Sequence, residues 1–156
     1  GADIYRRSLY TFWKRTVPHP LMTTFDAPSR EVCSVRRSRT NTPLQALSTM
    51  NDPTFIEAAR VLAGKLLAKH SLSPEARLAY AFRLATGRQP NANETSILSK
   101  ALSDMLASFE AEPEEANALL SVGNSPVSGN HAPASLAAYT ALMSLILNLD
   151  ETLTKG

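Results

Sequence analysis

Asn51-Asp52-Pro53-Thr54-Phe55-Ile56-Glu57-Ala58-Ala59-Arg60-Val61-Leu62-Ala63-Gly64-Lys65-Leu66-Leu67 is the stretch whose reading decides the fold. Asp52 is a cap residue followed by a first-turn proline, which is how many helices begin. Phe55, Ile56, Ala59, Leu62, Ala63, Leu66 and Leu67 then recur at spacings of three and four, giving one apolar face. Lys65, Lys69 and His70 gather near the expected end, where cations favour the negative pole of the helix dipole. The segment reads as an amphipathic helix that needs partners to cover it.

The same devices repeat on both sides. Upstream, Thr42-Pro43-Leu44-Gln45 sets a threonine cap before a proline, with Gln45 placed to complete a capping box; this predicts a short helix to about Met50. Downstream, Ser73-Pro74-Glu75 opens a helix with Leu78, Phe82 and Ala85 on its stripe, and Gly87 suits a left-handed stop. Pro90-Asn91-Ala92-Asn93-Glu94 starts another, whose stripe of Ile97, Leu98, Ala101, Leu102, Met105, Leu106 and Phe109 is the most regular in the chain. A shorter helix is predicted from near Pro113 to Leu120, and a final one from about Ser135 to Asn148. The apolar run from Leu136 to Leu149 is too short to span a bilayer and reads as a buried core helix. Ser121 to Pro133, rich in Gly, Ser, Asn and Pro, reads as a long flexible loop.

The fold class is therefore mainly α: a small bundle of five or six amphipathic helices with an irregular N-terminal arm. We expect one helical domain over residues 1–156, with an Arg-rich arm at 1–41, a bundle at 42–156 and the loop at 121–133. Within the arm, Ser8-Leu9-Tyr10-Thr11-Phe12-Trp13 has the propensity of a short strand. Val17-Pro18-His19-Pro20 blocks regular structure, and Thr24 to Ser29 reads as a turn. The opening Gly1-Ala2, lacking an initiator Met, reads as the start of a fragment of a larger protein, with any targeting signal upstream.

A hydrophobic fraction of 44% and a charged fraction of 19% are globular values and argue against wholesale disorder. Net charge is +2, but residues 1–50 hold eight Arg and Lys against three Asp and Glu, so the remainder is net acidic. The basic part either meets an anionic partner or folds against the acidic part of the same chain. Cys33 is the only cysteine, which excludes Cys-pair zinc motifs and covalent haem attachment within this segment. A buried thiol is the expected state of Cys33. His19, His70 and His131 lack a second ligand at helical spacing, so no metal site is expected. No nucleophile elbow, P-loop, dinucleotide fingerprint or metalloprotease helix occurs.

The densest chemical feature is Arg30-Glu31-Val32-Cys33-Ser34-Val35-Arg36-Arg37-Ser38-Arg39. Planar guanidinium forks bind phosphates, carboxylates and sulfates, so Arg30, Arg36, Arg37 and Arg39 are candidates for an anion or partner contact. The favoured reading is structural, with the arginines withdrawn from solvent and pinning the arm through ion pairs and helix-end carbonyls. Tyr5, Tyr10, Phe12 and Trp13, interleaved with Arg6, Arg7, Lys14 and Arg15, resemble an aromatic-basic platform, but packing of those aromatics into the core is the favoured outcome.

Tyr5-Arg6-Arg7-Ser8-Leu9-Tyr10-Thr11-Phe12-Trp13-Lys14-Arg15-Thr16-Val17-Pro18, Phe25-Asp26-Ala27-Pro28-Ser29-Arg30-Glu31-Val32-Cys33, Arg37-Ser38-Arg39-Thr40-Asn41-Thr42-Pro43-Leu44-Gln45-Ala46-Leu47 and Asn51-Asp52-Pro53 together resemble the C-terminal domain of unknown function abundant in planctomycete bacteria. The closing Asn148-Leu149-Asp150-Glu151 is similar to that family's ending, whereas the 121–133 loop is the least family-like part. In that family the domain typically follows a c-type cytochrome domain and a second uncharacterised domain. The resemblance assigns no catalytic residue. It implies an exported parent protein whose haem c belongs upstream, no cofactor in this segment, and an extracytoplasmic location.

On this basis the expected function is that of an accessory or interaction domain whose partners are other domains of the same polypeptide, a c-type cytochrome domain among them. The alternative is a domain that completes an oxidoreductase or polysaccharide-processing active site built upstream. Polyanion or nucleic-acid binding through the arginines is the weaker alternative.

Overall fold

The computed structural model describes residues 5–6, 8–14, 16–36, 38–127 and 129–154. Among these there are eight α-helices and no strand: α1 Pro20–Thr24, α2 Pro43–Asn51, α3 Pro53–Leu67, α4 Pro74–Thr86, α5 Ala92–Ala111, α6 Pro113–Leu120, α7 Pro133–Leu147 and α8 Asp150–Leu153. The mainly α expectation holds. Contacts divide the chain into two compact units, residues 1–48 and 49–156, with α2 running across the boundary.

In the larger unit the caps are where the sequence puts them. Asp52 accepts from the Thr54 N–H at 2.8 Å, and Ser73 from the Ala76 N–H at 3.2 Å. Asn91 and Glu94 form a reciprocal capping box at the start of α5, with bonds of 2.8 and 2.7 Å. Gly87 ends α4 at φ 85°, a left-handed geometry that costs a residue with a Cβ about 1 kcal/mol or more.

Helix α7 is the centre of this unit, packed against α3, α5, α6 and α4. It is apolar on nearly every side, and Leu136, Ala137, Ala138, Tyr139, Leu142, Met143 and Ile146 are all buried. Thr140 sits among them because its hydroxyl donates to the Leu136 carbonyl at 2.7 Å, so that hydroxyl is satisfied. Ala59, Ala63 and Leu66 of α3, Leu78, Ala81 and Ala85 of α4, and Ala116 and Leu120 of α6 complete the core. The regular stripe of α5 is only half-buried: Leu98, Ala101, Leu102, Met105 and Phe109 pack against the core, and Ile97 is exposed. Regular spacing marks a face, whereas depth depends on how many helices surround it.

The smaller unit departs from expectation in detail. Ser8–Tyr10 forms a single 3-10 turn, and Thr11 to Lys14 are irregular, so there is no strand. Pro20 does not block structure but begins α1, because a proline at the first helical position loses no hydrogen bond. Asp26 and Arg30 adopt left-handed backbone at φ 56° and 63°. Both features turn the chain so that distant segments meet.

Candidate functional site

That turn is held by a polar network rather than by a core. The Asp26 carboxylate accepts from both the backbone N–H and the hydroxyl of Thr40, each at 2.8 Å. Gln45, almost fully buried, donates to the Thr24 carbonyl at 2.9 Å and to the Thr40 hydroxyl at 3.1 Å. Its side-chain oxygen accepts from the Thr42 N–H at 3.1 Å while its own N–H donates to the Thr42 hydroxyl at 3.3 Å, completing the predicted capping box. Gln45 thereby ties α1's end, the Thr40 segment and the start of α2 into one unit.

The candidate arginines are carried on the outside of this frame. Arg30 lies over the Trp13 ring at 5.1 Å from its centroid, a cation–π contact that steadies its left-handed backbone. Arg36 and Arg39 are exposed, contrary to the expected withdrawal from solvent, and Arg37 lies outside the described residues. Cys33 is exposed rather than buried. The aromatics are also turned outward, Phe12 being 82% and Tyr10 67% exposed, with only Trp13 half-buried. The Trp13 indole N–H is buried and meets no acceptor among the described residues. Expectation failed here because a 48-residue segment is too small to close a core around its own aromatics.

A second arrangement lies wholly within the larger unit, where α3 holds the 121–132 segment. The Glu57 carboxylate accepts from the Asn124 N–H at 2.6 Å. One turn later, Arg60 donates through Nη2 to the Ser125 carbonyl at 2.7 Å and the Val122 carbonyl at 3.3 Å. Both side chains are buried. Gly123, at φ 93°, permits this approach, since a Cβ there would stand 2.8 Å from the Cβ of Glu57. Beside the clamp lies a cavity of about 240 Å³ lined by Arg60, Val61, Gly64, Lys65 and Ala68 on one side and Pro126, Val127, Gly129, His131 and Leu136 on the other. His131, read from sequence as a loop residue, is half-buried in its wall. Sequence reasoning passed over Glu57 and Arg60. Their signal was positional: Arg60 falls four residues after Ile56 and three before Ala63, inside the apolar stripe.

At the opposite end of α4, Arg88 bridges Glu94 and Glu151 at 2.6 and 2.7 Å and lies over Phe82. The bond to Arg88, and then the Asn91 N–H, holds the Glu94 carboxyl down at about 2; Arg88 likewise lowers Glu151 and is itself raised. Thr49 donates to the Asn148 side chain at 2.6 Å, and Thr152 to the Ile146 carbonyl at 3.0 Å. These bonds explain the closing Asn148-Leu149-Asp150-Glu151 as a structural lock. Among the described residues no three His, Cys, Asp or Glu side chains converge as a metal site, and no helix is long and apolar enough to cross a membrane.

The chain thus comprises a polar-stapled basic unit, residues 1–48, and a helical unit, residues 49–156. It belongs to the PSD1 family, described as "Protein of unknown function (DUF1553)", whose model matches residues 1–102. The match takes in the whole smaller unit, α2, α3, α4 and the first half of α5, and stops before the 121–132 segment. No curated protein and no solved structure matches the chain.

Proposed function

We propose that this is an accessory, interaction domain that docks onto the remainder of its own polypeptide through the 1–48 unit. The observation that carries the reading is where the chain spends its exposed apolar surface. Of the sixteen large apolar residues exposed among the described ones, nine belong to residues 1–48, less than a third of the chain: Tyr5, Leu9, Tyr10, Phe12, Val17, Val32, Val35, Leu44 and Leu47. Single exposed apolar side chains are ordinary, but such a concentration, interleaved with arginine, has the composition of a protein interface. The basic excess of residues 1–50 gives the partner surface its chemistry: apolar with carboxylates around it.

The resemblance to the planctomycete domain supports the finer form of the proposal, in which the parent protein is exported and the partner is an upstream domain, a c-type cytochrome domain or its neighbour. The haem c would be held there, and this segment would contribute no ligand to it. Export follows from that context, since covalent haem is attached outside the cytoplasmic membrane.

The test is binding of the 156-residue chain to the separately produced remainder of the polypeptide, by calorimetry, with wild type beside Phe12→Ser, Val35→Ser and Arg36→Ala. Saturable binding is expected, weakened about tenfold or more by at least one apolar substitution, as at an interface hot spot. The Arg36 change should act through the salt dependence. Absence of binding, or variants indistinguishable from wild type, overturns the reading; binding to heparin that the Arg36 change abolishes would favour a polyanion instead.

A further inference from the structure

The interaction surface leaves the α3 cavity unused, and its lining has a definite chemical bias. Among the described residues three nitrogen-bearing side chains contribute to it, Arg60, Lys65 and His131, and no carboxylate does. Val61, Ala68, Pro126, Val127 and Leu136 make the remaining walls apolar, while Gly64, in the middle of α3, takes up no side-chain volume in it. Glycine in a helix interior is disfavoured by about 1 kcal/mol relative to alanine, so its use there is consistent with a need for room.

Arg60 is the informative member. Its side chain is 3% exposed, yet among the described residues its charge is met by two backbone carbonyls and by no carboxylate. Its Nε–H is buried and meets no acceptor among the described residues. Buried guanidinium groups are normally paired, because a desolvated cation without a counter-charge is costly. Glu57, the nearest acid along the helix, accepts instead from the Asn124 N–H. A site with a buried cation, a second cation at an exposed lining position and apolar walls is complementary to an amphiphilic anion. At about 240 Å³ it lies below the range of roughly 300–1,000 Å³ that holds drug-sized ligands, which sets the size of the guest.

We propose that this cavity binds a small monocarboxylate with an apolar body, its carboxylate set toward Arg60 and Lys65 and its body against Val61, Ala68, Val127 and Leu136. The site is independent of the docking surface and of the reading given to it.

The 156-residue chain is titrated by calorimetry and thermal melting with hexanoate, hexan-1-ol, hexylammonium and inorganic phosphate at constant ionic strength. Hexanoate is expected to bind saturably and raise the melting temperature, with the other three about tenfold weaker or more. Lys65→Met, at an exposed position, should weaken hexanoate several-fold without moving the unliganded melting temperature. Gly64→Leu should abolish binding by filling the cavity while the helical circular dichroism is kept. Hexan-1-ol or phosphate binding as tightly as hexanoate, or hexanoate binding untouched by Lys65→Met, overturns the proposal. So does the absence of saturable binding at millimolar concentration. Should Gly64→Leu fail to fold, the four probes on wild type and the Lys65→Met titration decide by themselves.

Discussion

Residues 1–48 and 49–156 are held together by different physics. The larger unit is a hydrophobic solution: α7 is buried on almost every side, and its neighbours bring alanines and leucines to it. The smaller unit is a polar solution, in which Asp26, Thr40, Thr42 and Gln45 tie three segments by side-chain and backbone hydrogen bonds while most large apolar residues face outward. A small segment held by directional bonds need not spend its apolar residues on a core, which leaves them to meet another surface. The family match covers all of the smaller unit but only part of the larger.

The largest effect that sharpens this contrast is expected at the core. Leu142 is fully buried in α7, so Leu142→Ala should cost about 2–5 kcal/mol through lost burial and a residual cavity. Leu102, on the more regular stripe of α5, is half-buried, and Leu102→Ala should cost only about 1–2 kcal/mol. Urea unfolding followed by far-ultraviolet circular dichroism gives both values; equal costs would mean that α5 is as central as α7.

Next comes Gln45→Ala, which removes a buried side chain and its bonds to the half-buried Thr24 carbonyl and the exposed Thr40 hydroxyl, and should cost about 1–2 kcal/mol. Trp13, the chain's only tryptophan, reports on the smaller unit by fluorescence. The Trp13 transition should therefore move further than the helical signal. A helical signal that moves further would place Gln45's role in the larger unit.

The smallest effect is electrostatic and confined to the Arg88 corner. Glu94 has its carboxyl held at about 2, against an ordinary 4.5, chiefly by Arg88. A depressed carboxyl contributes stability that is complete above the unfolded value and is lost as pH falls through the folded one. The urea midpoint difference between wild type and Glu94→Gln should be constant above about pH 5 and shrink toward pH 2. Glutamine preserves the capping box, so a difference that ignores pH would assign Glu94 a purely hydrogen-bonding role.

The contrast between units also explains what the residues alone could tell. Helices α3 to α7 were legible because each signal is local: Asp52-Pro53, Ser73-Pro74, Asn91 with Glu94, and stripes at helical spacing. The one-turn helices α1 and α8 were not, since each depends on bonds from outside itself, such as Thr152 to the Ile146 carbonyl. The Asp26–Thr40 contact joins residues fourteen apart and leaves no periodic trace. The arginine cluster was visible, but its exposure was not, because whether a guanidinium is covered depends on tertiary neighbours. The cavity was invisible for a related reason: it arises only when the 121–132 segment folds back on α3.

The central claim is that the polar-stapled unit keeps its apolar surface for the rest of its own polypeptide. Amide hydrogen exchange over residues 8–36 tests it most directly, comparing the 156-residue chain alone with the same residues in the full polypeptide, and using the amides of α7 as an internal reference. Exchange over 8–36 should slow by about tenfold or more in the full polypeptide, while α7 stays equally protected in both. Identical exchange over 8–36 in the two samples would contradict the account.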